Sequence, residues 1–125
     1  MNTVKIKRIY DPVENDDGFR ILVDRLWPRG ISISNAKIDL WMKDIAPSTP
    51  LRVFFNHDVN KWDQFREMYI KELDQNPEVA NLIRKLKDGP LTLLYSAVDT
   101  EHNNAVVIKK YIEDALSSGR VADQL

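Results

Sequence analysis

Between Val23 and Gly30 the chain reads VDRLWPRG, which sets Asp24, Arg25, Trp27, Pro28 and Arg29 within six positions. An arginine presents a planar fork of donors that matches phosphate or carboxylate, so two of them beside a carboxylate suggest a receiver for an anion. Two other short runs carry similar groups: Arg8 and Tyr10, and then Tyr95 and Ser96 ahead of Asp99, His102 and Asn103. If the three runs converge, Arg8, Arg25 and Arg29 would bind the anion. Asp24 would orient an arginine or carry a proton, and Tyr95, Ser96 and Asn103 would meet the polar part of the guest. Gly30 and the N-terminus of the helix after Asn103 could add backbone N–H donors. A fourth stretch, KDIAPSTPLR from Lys43 to Arg52, offers Lys43, Ser48 and Arg52, either as a loop over the same arginines or as an ordinary capped helix start. Plainer roles stand beside each: arginines closing the rim of a sheet in ion pairs, Trp27 as packing, Pro28 and Gly30 as turn residues.

Other chemistries find less material. Ser96 stands where a nucleophile could stand, with His102 the nearest imidazole in sequence, yet the glycine-flanked elbow of hydrolases is missing. Asp99, Thr100 or Ser96 could equally cap the helix that follows. Asp24 and Asp99 could serve as general acid and base, or hold Mg²⁺, but two carboxylates of unknown separation define no site. The other histidine, His57, falls in a polar stretch between helical patterns. The chain has no cysteine, which removes disulfides, thiolate nucleophiles and cysteine metal sites, and two histidines leave little for zinc. No metal site is therefore assigned. There is no glycine-rich phosphate loop, and the cofactor, if any, stays unknown.

These groups need elements to hold them. Val4, Ile6 and Tyr10 alternate with Lys5, Lys7 and Ile9, a strand pattern with one face more apolar than the other, suited to a sheet edge. DPVENDDG follows as a loop too short for a helical crossover, so the first two strands are either an antiparallel pair or not simple neighbours. FRILVD and LTLLYSA run apolar without alternation, as strands buried on both faces do. Between them the spacing predicts a short helix capped by Ser34 and carrying Ala36, Ile38, Leu40 and Trp41. A second helix is capped by Thr49 with Pro50 at its first position, and a third runs from about Asn60 to Leu73 with Trp62, Phe65, Tyr69 and Leu73 on one stripe. A fourth follows Pro77 and ends at DGP, and a fifth carries Ala105, Ile108, Ile112 and Ala115. Strands alternating with helices give the expected class: α/β, a small and largely parallel central sheet flanked by helices. In open sheets of this kind ligands meet the carboxyl ends of the strands, where all three polar runs fall.

The totals agree with one soluble domain. The chain has 125 residues, 18 basic against 19 acidic side chains and a net charge of -1. A single domain over residues 1–116 with a loose tail over 117–125 is expected. The near-neutral balance counts against a general nucleic-acid binder while leaving a local basic patch open. The N-terminus lacks an apolar signal core, and no run approaches the roughly 18 apolar residues of a membrane span, so the expected setting is cytoplasmic, with no membrane partner.

KRIYDP, DGFRILVDRLWPRG, KDIAPSTPLR, TLLYSA and NNAVV occur in the order seen in the bacterial YeaO-like family, a branch of a larger group of unknown function, and the chain resembles that family from about Lys5 to Leu116. The resemblance implies a compact α/β domain and no established activity. Some members carry methyltransferase-like labels, which no glycine-rich cofactor loop supports here. The positions matching the family pattern are Arg8, Tyr10, Asp24, Arg25, Trp27, Pro28, Arg29, Trp41, Lys43, Ser48, Arg52, Tyr95, Ser96 and Asn103. One departure stands out. The family typically reads Asn-His-Ala where this chain has Asn103, Asn104 and Ala105, and wider relatives often place a cysteine and a histidine at this turn. Any mechanism needing imidazole at position 104 is in doubt here, and His102 is the neighbouring substitute. The expectation is thus a pocket for a phosphate-bearing or nucleotide-like metabolite, with or without catalysis by Asp24 and Ser96. The alternative is a non-catalytic module for a nucleic-acid end or a protein partner.

Overall fold

A computed structural model describes residues 2–118 of the chain. Four strands, β1 (Val4–Arg8), β2 (Phe19–Leu22), β3 (Leu40–Trp41) and β4 (Leu91–Tyr95), form one sheet in the order β1-β4-β2-β3. Every pairing is parallel. All five residues of β4 are buried, which is why LTLLY carries no alternation: it is a central strand with covered faces. β1 lies at one edge, and β4 separates it from β2, so the first two strands are parallel and not neighbours.

Five helices follow the strands: α1 (Ile33–Ala36), α2 (Thr49–Phe55), α3 (Trp62–Asp74), α4 (Glu78–Asp88) and α5 (Asn104–Ser117). Leu51 and Phe55 of α2, Phe65, Tyr69 and Leu73 of α3, Leu82 and Leu86 of α4, and Ile108 and Ile112 of α5 share one core with Ile21, Leu91, Leu93 and Tyr95 of the sheet. The opposite face, from Leu22 and Leu94, holds a smaller core that Ile9, Ala36, Trp27 and Trp41 close. Odd and even strand positions thus serve two unequal layers, as the two-residue period of a strand requires.

The sharpest departures from the expected elements lie between residues 32 and 49. α1 is capped by Ser32, whose side chain accepts from the Asn35 N–H, not by Ser34, and it ends at Ala36. Leu40 and Trp41 leave the helix and form the short edge strand β3 against Ile21 and Leu22. Lys37, in a left-handed conformation (φ 48°), turns the chain between them. Likewise α2 is capped by Ser48, not Thr49, which becomes its first helical residue. β2 stops at Leu22 and β4 at Tyr95, each two residues short of the expected end, and α3 starts at Trp62 after a single 3-10 turn (Val59–Lys61). α5 is capped by Asn103 rather than Ser96, Asp99 or Thr100, and it extends to Ser117, the first residue expected in the tail. The rest of that expected tail, beyond Ser118, lies outside the described residues.

The link from β1 to β2 needs no α-helix because ion pairs hold it to the second face of the sheet. Lys5 Nζ meets Asp16 at 2.8 Å, and Lys7 Nζ meets Glu14 at 2.8 Å and Asp17 at 2.7 Å. Asp17 also pairs with the buried Arg20 at 2.5 Å, and Arg20 donates onward to the carbonyls of Ala36 and Lys37. Hydrogen bonds from Lys7, the Glu14 N–H and Arg20 outweigh the opposing effect of burial and bring the Asp17 carboxyl down to about 2. Among the described residues no helix is long and apolar enough to cross a membrane.

Candidate functional site

The carboxyl ends of β2 and β4 open into a cleft of about 690 Å³, within the range of roughly 300–1,000 Å³ typical of small-molecule sites. Its walls come from residues 24–29 after β2, the Ala46–Pro47 turn, the end of α2 with Asn56 and His57, and the turn from Ser96 to Asn104. Phe55 and Phe65 supply an aromatic wall, their rings stacked 4.3 Å apart. The Asn56–His57 turn has two consecutive left-handed residues (φ 44° and 56°), rare outside glycine, which reverse the chain at the end of α2.

At the base, Asp24 ties the two strand ends together. Its Oδ2 accepts from the Ser96 N–H at 2.9 Å and from Ser96 Oγ at 2.8 Å, and its Oδ1 accepts from Asn104 Nδ2 at 3.1 Å. Asn104 Nδ2 also donates to the Val23 carbonyl at 2.9 Å. Burial pushes the Asp24 carboxyl above its ordinary range, and the bonds from Ser96 and Asn104 oppose that push. Position 104, where the resemblance expected imidazole, therefore holds an amide that braces Asp24. Ser96 Oγ faces a carboxylate and not a histidine. This turn also answers the question of a Ser–His pair: His102 Nδ1 lies 2.9 Å from Asp99 Oδ2, and the ring stands edge-on to Trp62.

Of the three arginines read from sequence, Arg25 and Arg29 line the cleft and Arg8 does not. Arg8 sits outside the cleft walls. Its Nε and Nη2 donate to the carbonyls of Ala97 (2.8 Å) and Ser96 (3.2 Å), and its guanidinium lies 4.9 Å from the centre of the Tyr10 ring. Arg25 lines the cleft but donates to the carbonyls of Ala46 (3.2 Å) and Pro47 (3.4 Å), with Asp44 3.8 Å away. Both fasten loops. Arg29 lines the cleft and makes no side-chain hydrogen bond or ion pair among the described residues, and the same holds for Arg52 of α2. Among the described residues, the arginines at the cleft without a side-chain partner are thus Arg29 and Arg52.

Tyr10 lines the cleft and donates to the Arg29 carbonyl at 2.7 Å, which fixes the turn that carries Arg29. Trp27 touches the cleft too, but its indole donates to the Ile31 carbonyl and its ring packs edge-on against Trp41, 5.4 Å away, so packing is its main part. Asn103 lines the wall while capping α5 through the Val106 N–H. Lys43, Ser48 and Tyr95 lie off the cleft walls. Lys43 rests 5.1 Å from the Trp41 ring centre, Ser48 binds Glu72 of α3 through both its N–H (2.9 Å) and Oγ (2.5 Å), and Tyr95 is buried in the main core. Residues that sequence reasoning left aside, including His57, Phe55, Phe65 and Asn104, join the wall. Only the helical stripe of Phe65 announced itself, and it announced core. Among the described residues, the acids close enough to share a metal ion are Glu14, Asp16 and Asp17, which face Lys5, Lys7 and Arg20 instead.

A fully parallel sheet with a ligand-sized cleft at its carboxyl ends defines a small α/β domain with a polar-rimmed pocket. The chain belongs to the family described as "Inactive DUF488-N3 subclade", whose model matches residues 3–124. It is 46% identical to the "Uncharacterized protein YeaO" of Escherichia coli strain K12 over 110 residues, 87% of this chain and 96% of that one. It is also 41% identical to the "Uncharacterized protein Rv3073c" of Mycobacterium tuberculosis strain H37Rv over 83 residues, 66% of this chain and 70% of that one. No solved structure matches the chain.

Proposed function

We propose that this protein binds a small phosphate-bearing or nucleotide-like metabolite in the cleft at the ends of β2 and β4, without turning it over. The observation that carries this reading is the pair Arg29 and Arg52, two guanidinium groups with no protein partner among the described residues, on a cleft with an aromatic wall. A guanidinium fork recognises phosphate by paired donors, and an apolar wall receives a flat ring or a carbon skeleton. Two features favour binding over catalysis. Asp24 is braced by Ser96 and Asn104, and Ser96 Oγ is directed to a carboxylate rather than to a base of the serine-hydrolase kind. The family description also carries the word "Inactive".

A thermal-shift screen of metabolites tests this. One or a few phosphate-bearing compounds should raise the melting temperature saturably, while their dephosphorylated forms should not. Binding confined to oligonucleotides, spread over many sequences and lost steeply with salt, would instead favour a nucleic-acid module.

A further inference from the structure

Resting on that reading, the pocket also offers acceptors, and they narrow the guest further. Asp99 fixes His102 in one tautomer. Its Oδ1 accepts the backbone N–H groups of Glu101 (2.8 Å) and His102 (3.0 Å), so the carboxylate cannot turn away, and its Oδ2 faces His102 Nδ1 at 2.9 Å. The N–H groups of this turn, together with His102, also keep Asp99 ionised, its carboxyl below the ordinary range. An ionised carboxylate only accepts, so when the ring holds a single proton Nδ1 carries it and Nε2 presents a bare lone pair. His102 lines the cleft, and Nε2 has no hydrogen-bond partner among the described residues. Across the same cleft Asp24 Oδ1 accepts one bond, from Asn104, and a carboxylate oxygen has room for a second.

The cleft therefore sets two cationic forks, Arg29 and Arg52, beside two acceptors, Asp24 Oδ1 and His102 Nε2. An inorganic anion satisfies only the first pair. We propose that the guest is a phosphate ester whose carbon body carries hydroxyl donors, as the ribose of a nucleoside monophosphate does, and that His102, positioned by Asp99, reads those hydroxyls.

Isothermal titration calorimetry with adenosine 5′-monophosphate and its 2′,3′-dideoxy analogue tests the proposal on the full chain. The wild type should bind the hydroxylated compound on the order of tenfold more tightly, the value of one or two well-placed hydrogen bonds. His102→Leu should bring that ratio close to one. Asp99→Asn, which loosens the tautomer while keeping a similar shape, should reduce it. Equal affinity of the wild type for both compounds would overturn the inference and leave the anion pocket standing. A tenfold ratio that survives in His102→Leu would remove His102 as the reader. Binding of neither compound, in a protein whose thermal unfolding stays cooperative, would count against the pocket itself and the inference with it.

Discussion

Arginines that look alike in sequence have separate duties in this molecule. Arg8 and Arg25 each hold two backbone carbonyls, so removing either side chain leaves partly buried acceptors without a partner. Arg8→Ala should destabilise the fold by roughly 1–3 kcal/mol, read as a lower urea midpoint. Arg29→Ala and Arg52→Ala break no side-chain bond among the described residues and should stay within about 0.5 kcal/mol of the wild type in the same assay. The sequence marked all four as candidates because residue type and a strand-end position are visible in it. Which guanidinium meets a carbonyl is decided by loops that fold back from elsewhere: Ala46 and Pro47 come to Arg25, and Ser96 and Ala97 come to Arg8. Asp24 was legible for the same reason as the arginines, whereas its brace Asn104 was read only as a missing histidine.

At the scale of elements, the class of the sheet was legible because β2 and β4 carry unbroken apolar runs. β3 was not, since two residues, Leu40 and Trp41, cannot display a period, and their spacing from Ala36 also fits a helix. The length of the β1–β2 link left an antiparallel pair or non-neighbours, and the sheet order takes the second, with ion pairs to Lys5, Lys7 and Arg20, not an α-helix, holding the link to the sheet. That link makes a pH prediction. The Asp17 carboxyl is held at about 2 against an ordinary 3.8, a depressed value. Its contribution is present in full above about pH 4 and is lost as the pH falls through 2, roughly 2 kcal/mol in all. Urea unfolding of the wild type at pH 5 and pH 2.5 should show a large part of that loss, and Asp17→Asn, less stable at pH 5, should lack this component. The same link turns at Gly18, where φ is 66° and an added Cβ would lie 2.2 Å from the Pro90 carbonyl oxygen. Gly18→Ala should cost more than about 2 kcal/mol, visible as a lower melting temperature.

At the scale of the whole molecule, the cleft joins six segments from Tyr10 to Asn104, and no local pattern foretells that meeting. The rule that ligands meet the carboxyl ends of parallel strands points to the region where the cleft lies, because topology puts all such ends on one side of the sheet. It could not choose between Arg8 and Arg52, which belong to different elements: Arg8 ends β1 and turns to the β4 exit, while Arg52 reaches the cleft from α2. Calorimetric titration of adenosine 5′-monophosphate into the wild type and into the double variant Arg29→Ala, Arg52→Ala tests this most directly. Saturable 1:1 binding by the wild type, weakened at least about tenfold in a double variant of unchanged melting temperature, is the predicted result. Equal affinity in both proteins would contradict the assignment of the two free arginines to the guest.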